Sequence, residues 1–406
     1  MIKAISAMAL AFALAAPALA GETAAGTSGA PAVHQRVLVL DSHADILLPS
    51  TPARYYLPDG GSRIDLPHLT AGGVDAIVLA IAVGSGPRDA AGVAEARSTA
   101  DAKLGIIRKF IDDNPQRVAL ALTADDVVRL HREGKVAVVI AFQNARIIGS
   151  DLSQIDAFYR DGVRVFAFNH AGHNDLADSS RPWNQPAIEH GGLSALGRQA
   201  VKKLNDLGVL IDVSQSSTDA VLQTVRLSRV PVVATHSAAR ALVDNARNLS
   251  DAELDAIKAK GGVIQVTPFT SYVHNEAPAE SAAIRDLRGR FGLTPNDKSI
   301  YEGLEDLPKA RQDAFYAELY AIRTRGTLAE FVDHIDYIAR RIGWQHVGIG
   351  TDFDHGGGVV GFDSEADAPN VTAELLRRGY TEQQVAAIWG GNFLRVLHAA
   401  QAGRRK

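Results

Sequence analysis

The chain has 406 residues, 46% hydrophobic and 22% charged, with a formal net charge of −4. Such a chain can bury a full core, and its charge balance gives no electrostatic case for nucleic acid or an anionic membrane as partner. It has no cysteine, which excludes disulfides, thiolate metal ligands and a cysteine nucleophile together.

Residues 1–20 carry Lys3 and then the apolar run "AISAMALAFALAAPALA", ending in Ala18-Leu19-Ala20. This pattern predicts a signal peptide cleaved after Ala20; the run is short for a membrane span and lacks a stop-transfer flank. Residues 21–33 are small and polar and read as a flexible linker, followed by a single domain over 34–406. The expected destination is outside the cytoplasm, most simply a bacterial periplasm. The tail "HAAQAGRRK" carries no anchor.

Eight short apolar runs follow: "RVLVLDSH", "GVDAIVLAIAV", "VAVVIAFQ", "VRVFAFNH", "VLIDVSQ", "VPVVATH", "GVIQVTPF" and "HVGIGTDFD". They are continuous rather than alternating, as in parallel strands buried on both faces. Amphipathic stretches such as "LAEFVDHIDYIARRIG" separate them. Eight βα units favour a (β/α)₈ TIM-type barrel over an open doubly wound sheet. Two connections are long. Residues 171–193 follow the fourth strand. Residues 268–327 follow the seventh and read as an inserted helical lid or a subunit contact.

The polar residues fall at the strand ends: His43 and Asp45, Gln143, His170, Gln215, His236, then Asp352 and Asp354. In a barrel these C-terminal ends converge on the rim that carries the active site. His43 and Asp45, two apart, share a face and offer one imidazole and one carboxylate to a divalent cation such as zinc. A lone H-x-D occurs in many chains, and a lone strand-end histidine is usually structural. The coincidence over six ends is what points to a site. "GGGVVG", 356–361, matches a dinucleotide fingerprint literally, but no helix opens after it, so it reads as a flexible rim loop. His173 and His190 read as solvated loop histidines rather than pocket residues.

The stretches "DSHADIL", "RIDLPHLTAGGVDA", "GGLSALGRQAVKKLNDLGVLIDVS", "ATHSAARALVDNARNLSD", "VGIGTDFDH" and "GGNFLRVL" resemble the renal (membrane) dipeptidase family of metallopeptidases, over about His34 to Leu397. The resemblance implies that His43 and Asp45 hold a first zinc and His236 part of a second. It gives Asp352 the proton transfer, His170 the polarising of the scissile carbonyl, and Arg247 the substrate carboxylate. It also implies a homodimer. Two positions depart from the family. Its bridging glutamate is Gln143 here, and its strand-five histidine on the second zinc is Gln215. A neutral amide is a poor zinc ligand, so one metal per chain is expected, held by His43 and Asp45 with Asp352 and His236 able to complete the site. The first reading is an exported metal-dependent dipeptidase, acting on dipeptides or small amides with a free C-terminal carboxylate. A second is an isomerase or tautomerase using Asp352 and His170 on a peptide-derived molecule, with the metal reduced or lost. A third is a periplasmic binding protein, which the retained Asp352 argues against.

Overall fold

The computed structural model describes residues 29–182, 185–294, 300–301 and 303–405. The signal-peptide segment and residues 21–28 lie outside them. The expected linker is already helical at its end: Ala30–His34 forms a short helix with Val33 buried. Among the described residues no helix is long and apolar enough to cross a membrane.

Among the described residues there are nine strands: β1 (Leu40–Asp45), β2 (Ala76–Ala82), β3 (Val118–Leu120), β4 (Val136–Gln143), β5 (Val163–Ala167), β6 (Leu210–Asp212), β7 (Val233–Ser237), β8 (Val263–Val266) and β9 (Val347–Ile349). All pair in parallel in the order β1-β2-β4-β5-β6-β7-β8-β9. These eight are the expected runs. β3 is an addition that pairs only with the start of β4, over Val136–Val138, before β5 takes up that edge at Ile140. Three residues with one fully buried position leave little periodicity to read in the sequence. The ring closes beyond β9, where Asp45 N–H donates to Phe353 O (3.0 Å) and Asp352 N–H to His43 O (2.8 Å). The expected (β/α)₈ barrel is therefore the fold.

Continuous apolar strands are explained by burial on both faces. Ile77, Leu79 and Ile81 of β2 join one apolar cluster, while the intervening Val78 and Ala80 join another. Helices between strands start on side-chain caps, such as Ser194 for Ala195–Leu207, Ser250 for Asp251–Ala259 and Thr327 for Leu328–Ile342. Each cap satisfies backbone N–H groups that the helix itself cannot. After β8 the chain departs from βα alternation. Two helices, Pro278–Arg290 and Lys309–Ile322, pack around an apolar cluster of their own that includes Leu287, Phe315 and Leu319. The second of these helices contributes Tyr316 and Tyr320 to the cleft above the rim.

Candidate active site

The strand ends build a rim with two chemically different halves. On the β1–β9 side, Asp41 organises the backbone: its carboxylate accepts from His43 N–H (3.1 Å), Thr351 N–H (2.8 Å) and Thr351 Oγ1 (2.7 Å). That ties the end of β1 to the turn after β9 and sets His43 beside Asp352, with Nε2 and Oδ1 3.8 Å apart. Asp352 has a left-handed backbone, φ 55°, a strain of about 1–3 kcal/mol that persists where the surroundings dictate it and is commonest at functional sites. Asp354 turns away from this cluster and accepts from Ser62 Oγ (2.5 Å) and Arg63 N–H (2.9 Å). Burial pushes its carboxyl up to about 6.

Lys103 reaches in from helix Ala90–Asp113 and donates to Asp45 Oδ1 at 2.6 Å. His355 Nδ1 lies 3.3 Å from Asp45 Oδ2 and 3.7 Å from Asp352 Oδ1. Burial opposes a charge on Asp45, but Lys103, His355 and His43 hold its carboxyl below the usual range. Burial likewise opposes a charge on His355, and Asp45 and Asp352 outweigh it and raise that imidazole. His43 Nε2, Asp45 Oδ2 and Asp352 Oδ1 are buried without a hydrogen-bond partner among the described residues. One ligand atom from each lies within 4.8 Å of the others. Three clustered residues, each with a ligand atom left unpartnered among the described residues, fit a single divalent cation.

On the β4–β6–β7 side the polar atoms are taken up by one another. Thr235 Oγ1 donates to Asp212 Oδ2 (2.5 Å), so it accepts from His236 Nδ1–H (2.8 Å). His236 Nε2 is then the acceptor, and two amides donate to it: Gln143 Nε2 (3.1 Å) and Gln215 Nε2 (3.2 Å). Gln215, with φ 66°, accepts from Arg181 Nη2 through Oε1 (2.9 Å). Burial, with His43 stacked on the ring at 3.8 Å, drives His236 well below the ordinary histidine value. His43, Asp212 and His236 also meet the spacing of a metal triad, but Asp212 is spent on Ser214 N–H, Thr235 N–H and Thr235 Oγ1. The imidazole nitrogen that a second metal would need is capped by two amides, and these residues do not fit a second cation.

The sequence-predicted residues thus converge. His43, Asp45 and Asp352 share the charged half, and Gln143, Gln215 and His236 the neutral half. His170, three residues past β5, lines the same cleft as Asp352. Its Nδ1 has no partner among the described residues, and burial followed by the nearby cations pushes it well below the ordinary histidine value. Arg247 opens instead into a smaller adjoining cavity of about 230 Å³. Its Nη2 donates to His236 O (3.0 Å), leaving Nε and Nη1 buried and unpartnered among the described residues.

Three residues were not singled out from the sequence. His355 stands in "GTDFDH", three past Asp352, where a strand-end histidine deserved the same weight as the others. Arg181 lies in the long loop after β5 and lines both cavities. Lys103 sits mid-helix, and nothing in its spacing separates it from a solvated lysine. In the other direction, His173 is not solvated: it is buried, donating from Nε2 to Pro186 O (2.8 Å) and accepting from Ser179 N–H at Nδ1 (2.9 Å). The rim-loop reading of 356–361 fits the structure. Gly356, Gly357 and Gly358 line the cleft, and a side chain on Gly357 would stand 2.0 Å from Thr351 O.

The family model described as membrane dipeptidase (peptidase family M19) matches residues 28–406. The crystal structure of the probable dipeptidase PvdM from Pseudomonas aeruginosa is 40% identical and superposes with a TM-score of 0.83, covering 92% of this chain and 98% of that one. Dipeptidase tcpJ of Claviceps purpurea is 28% identical over 84% of this chain and 70% of its own length. Dipeptidase verJ of Clonostachys rogersoniana is 29% identical over 74% of this chain and 64% of its own length.

Proposed function

The chain belongs to the membrane dipeptidase family of peptide-bond hydrolases, and on that premise we propose that it is an exported dipeptidase built to work with one divalent metal, zinc by preference. The observation that carries the one-metal reading is the contrast in the rim. His43, Asp45 and Asp352 cluster with an unpartnered ligand atom on each, while His236 Nε2 is closed by Gln143 and Gln215. His43, Asp45 and Asp352 would hold the cation, with His355 beside them. When bound, it supplies Lewis acidity next to the scissile amide.

The chain's own groups do the rest. Asp352, beside the cation site and with His355 Nδ1 3.7 Å from its carboxylate, takes a proton from the attacking water through the oxygen left off the metal and returns it to the leaving amine. His170, held neutral by burial, donates to the amide oxygen as charge builds there. Arg247 offers the unpartnered N–H groups of Nε and Nη1 to the C-terminal carboxylate. The apolar run over residues 1–20 supports export. The comparisons lend no support to an isomerase or tautomerase.

Elemental analysis of protein purified without added metal, after mild dialysis, is expected to give about one divalent ion per chain together with cleavage of free dipeptides. Two tightly held ions per chain would refute the argument from the capped histidine. Arg247→Ala should raise KM for free dipeptides about tenfold or more and leave C-terminally amidated ones nearly unaffected. An equal loss on both would remove Arg247 from the carboxylate role.

A further inference from the structure

The main cleft is larger than a dipeptide needs. Its volume is about 870 Å³, near the top of the roughly 300–1,000 Å³ span of pockets that take drug-sized ligands. His170, Asp352 and His355 line it at the rim, and the insertion's helix Lys309–Ile322 contributes Tyr316 and Tyr320. Because the insertion has its own apolar cluster, it is a module added to the barrel.

The charge of the cleft is one-sided. Among the described lining residues are five arginines and two aspartates, and one of those acids, Asp363, is already paired with Arg325 (2.6 Å). The Arg54 guanidinium lies 3.9 Å over the Tyr316 ring and 4.6 Å over the Tyr55 ring. Its nearest acid, Asp313, is 3.9 Å away, and Nε and Nη1 have no hydrogen-bond partner among the described residues. Arg323, just past the insertion's last helix, donates from Nη1 to Tyr301 Oη (2.8 Å). Its Nε and Nη2 are left without a hydrogen-bond partner in the same way, 3.8 Å or more from Glu276. Buried guanidinium donors are costly unless an anion meets them, and a carboxylate matches their fork. The Tyr316 ring is covered by Arg54, while Tyr320 beside it is exposed and can meet a flat ring.

Resting on the hydrolase reading above, we propose that this cleft takes an amide substrate extended beyond two residues by a planar group bearing an anion, held by Arg54 and Arg323 beside the insertion's exposed Tyr320. Three probes with the same scissile bond test it: Ala-Ala, N-benzoyl-Ala-Ala and N-(4-carboxybenzoyl)-Ala-Ala. The carboxybenzoyl probe should show the highest kcat/KM, about tenfold or more above the benzoyl probe. Calorimetric binding of the carboxybenzoyl probe should weaken by a similar factor in Arg54→Met and in Arg323→Met, which keep an apolar stem while removing the donors. Faster cleavage of free Ala-Ala than of both capped probes overturns the proposal and leaves the hydrolase intact. Equal wild-type binding of the two capped probes, or unchanged binding in both variants, overturns it as well. If no probe is cleaved but the carboxybenzoyl probe binds and the variants weaken it, the cleft stands and the hydrolase reading falls.

Discussion

The charged and neutral halves of the rim start from similar material, an apolar parallel strand ending in polar side chains, and they reach opposite states. Around β1 and β9, His43, Asp45 and Asp352 leave three buried atoms unpartnered, beside the Lys103 ammonium and the His355 imidazole. Around β4, β6 and β7, a chain from Asp212 through Thr235 to His236 ends on two glutamine amides. Buried polar groups left open are expensive, and groups closed on one another are not. The open half therefore marks where a ligand is expected, and the closed half marks where one has been designed out.

The largest expected effect tests the open half. Asp352→Asn keeps the shape of the side chain but removes its basicity, so kcat for a cleaved substrate should fall on the order of 10²–10⁴-fold. KM should change far less. A loss seen only in KM would assign Asp352 to binding.

Lys103 comes next. Its pair with Asp45 is buried, and breaking such a pair by removing one partner costs about 3–5 kcal/mol. Lys103→Met should therefore melt well below the parent when metal-free. It should also bind the divalent ion more tightly, because a like charge close to the site has been removed. Added zinc should then raise the melting temperature of the variant more than that of the parent. Weaker zinc binding by the variant would mean that Lys103 supports the cation site by orienting Asp45.

The closed half is broken by restoring ligands. Gln143→Glu returns a bridging carboxylate and Gln215→His an imidazole, and together they should admit a second metal, which neither does alone. Elemental analysis of both single variants and the double variant reads this directly. A second metal bound by either single variant would show that the other amide is not a barrier.

Much of this contrast was legible in the sequence. Eight apolar runs and the residues closing them fixed the barrel and most of the rim, because parallel strands buried on both faces leave an unbroken apolar signature. Gln143 and Gln215 stood out as amides at positions where the family resemblance implies ligands. What they do instead was not legible, since two amides converging on His236 Nε2 depend on side chains 93 and 21 residues away from it. Lys103 was invisible for a related reason. Helical spacing says which face a lysine is on, and only the tertiary fold brings that face to the end of β1. β3 escaped because three residues are too few for a period.

The smallest expected effect concerns what holds the closed half in place. His334, on helix Leu328–Ile342, accepts at Nδ1 from Ala239 N–H (3.0 Å), three residues past His236. Burial lowers its pKa from 6.5 to about 4, against smaller opposing contributions from a backbone hydrogen bond and two nearby acids. The folded state thus binds this proton more weakly than the unfolded chain does. Stability from His334 is complete above the unfolded value and is lost as pH falls from about 6.5 toward 4. At pH 5 the loss amounts to about 2 kcal/mol. His334→Gln keeps an acceptor and removes the titration, so its unfolding free energy should change less between pH 7 and pH 5 than that of the parent. The effect should be confined to that window and should not follow metal loading, because His334 touches the closed half through Ala239 and not the cation site. An equal acid dependence in parent and variant would place the acid sensitivity elsewhere in the protein.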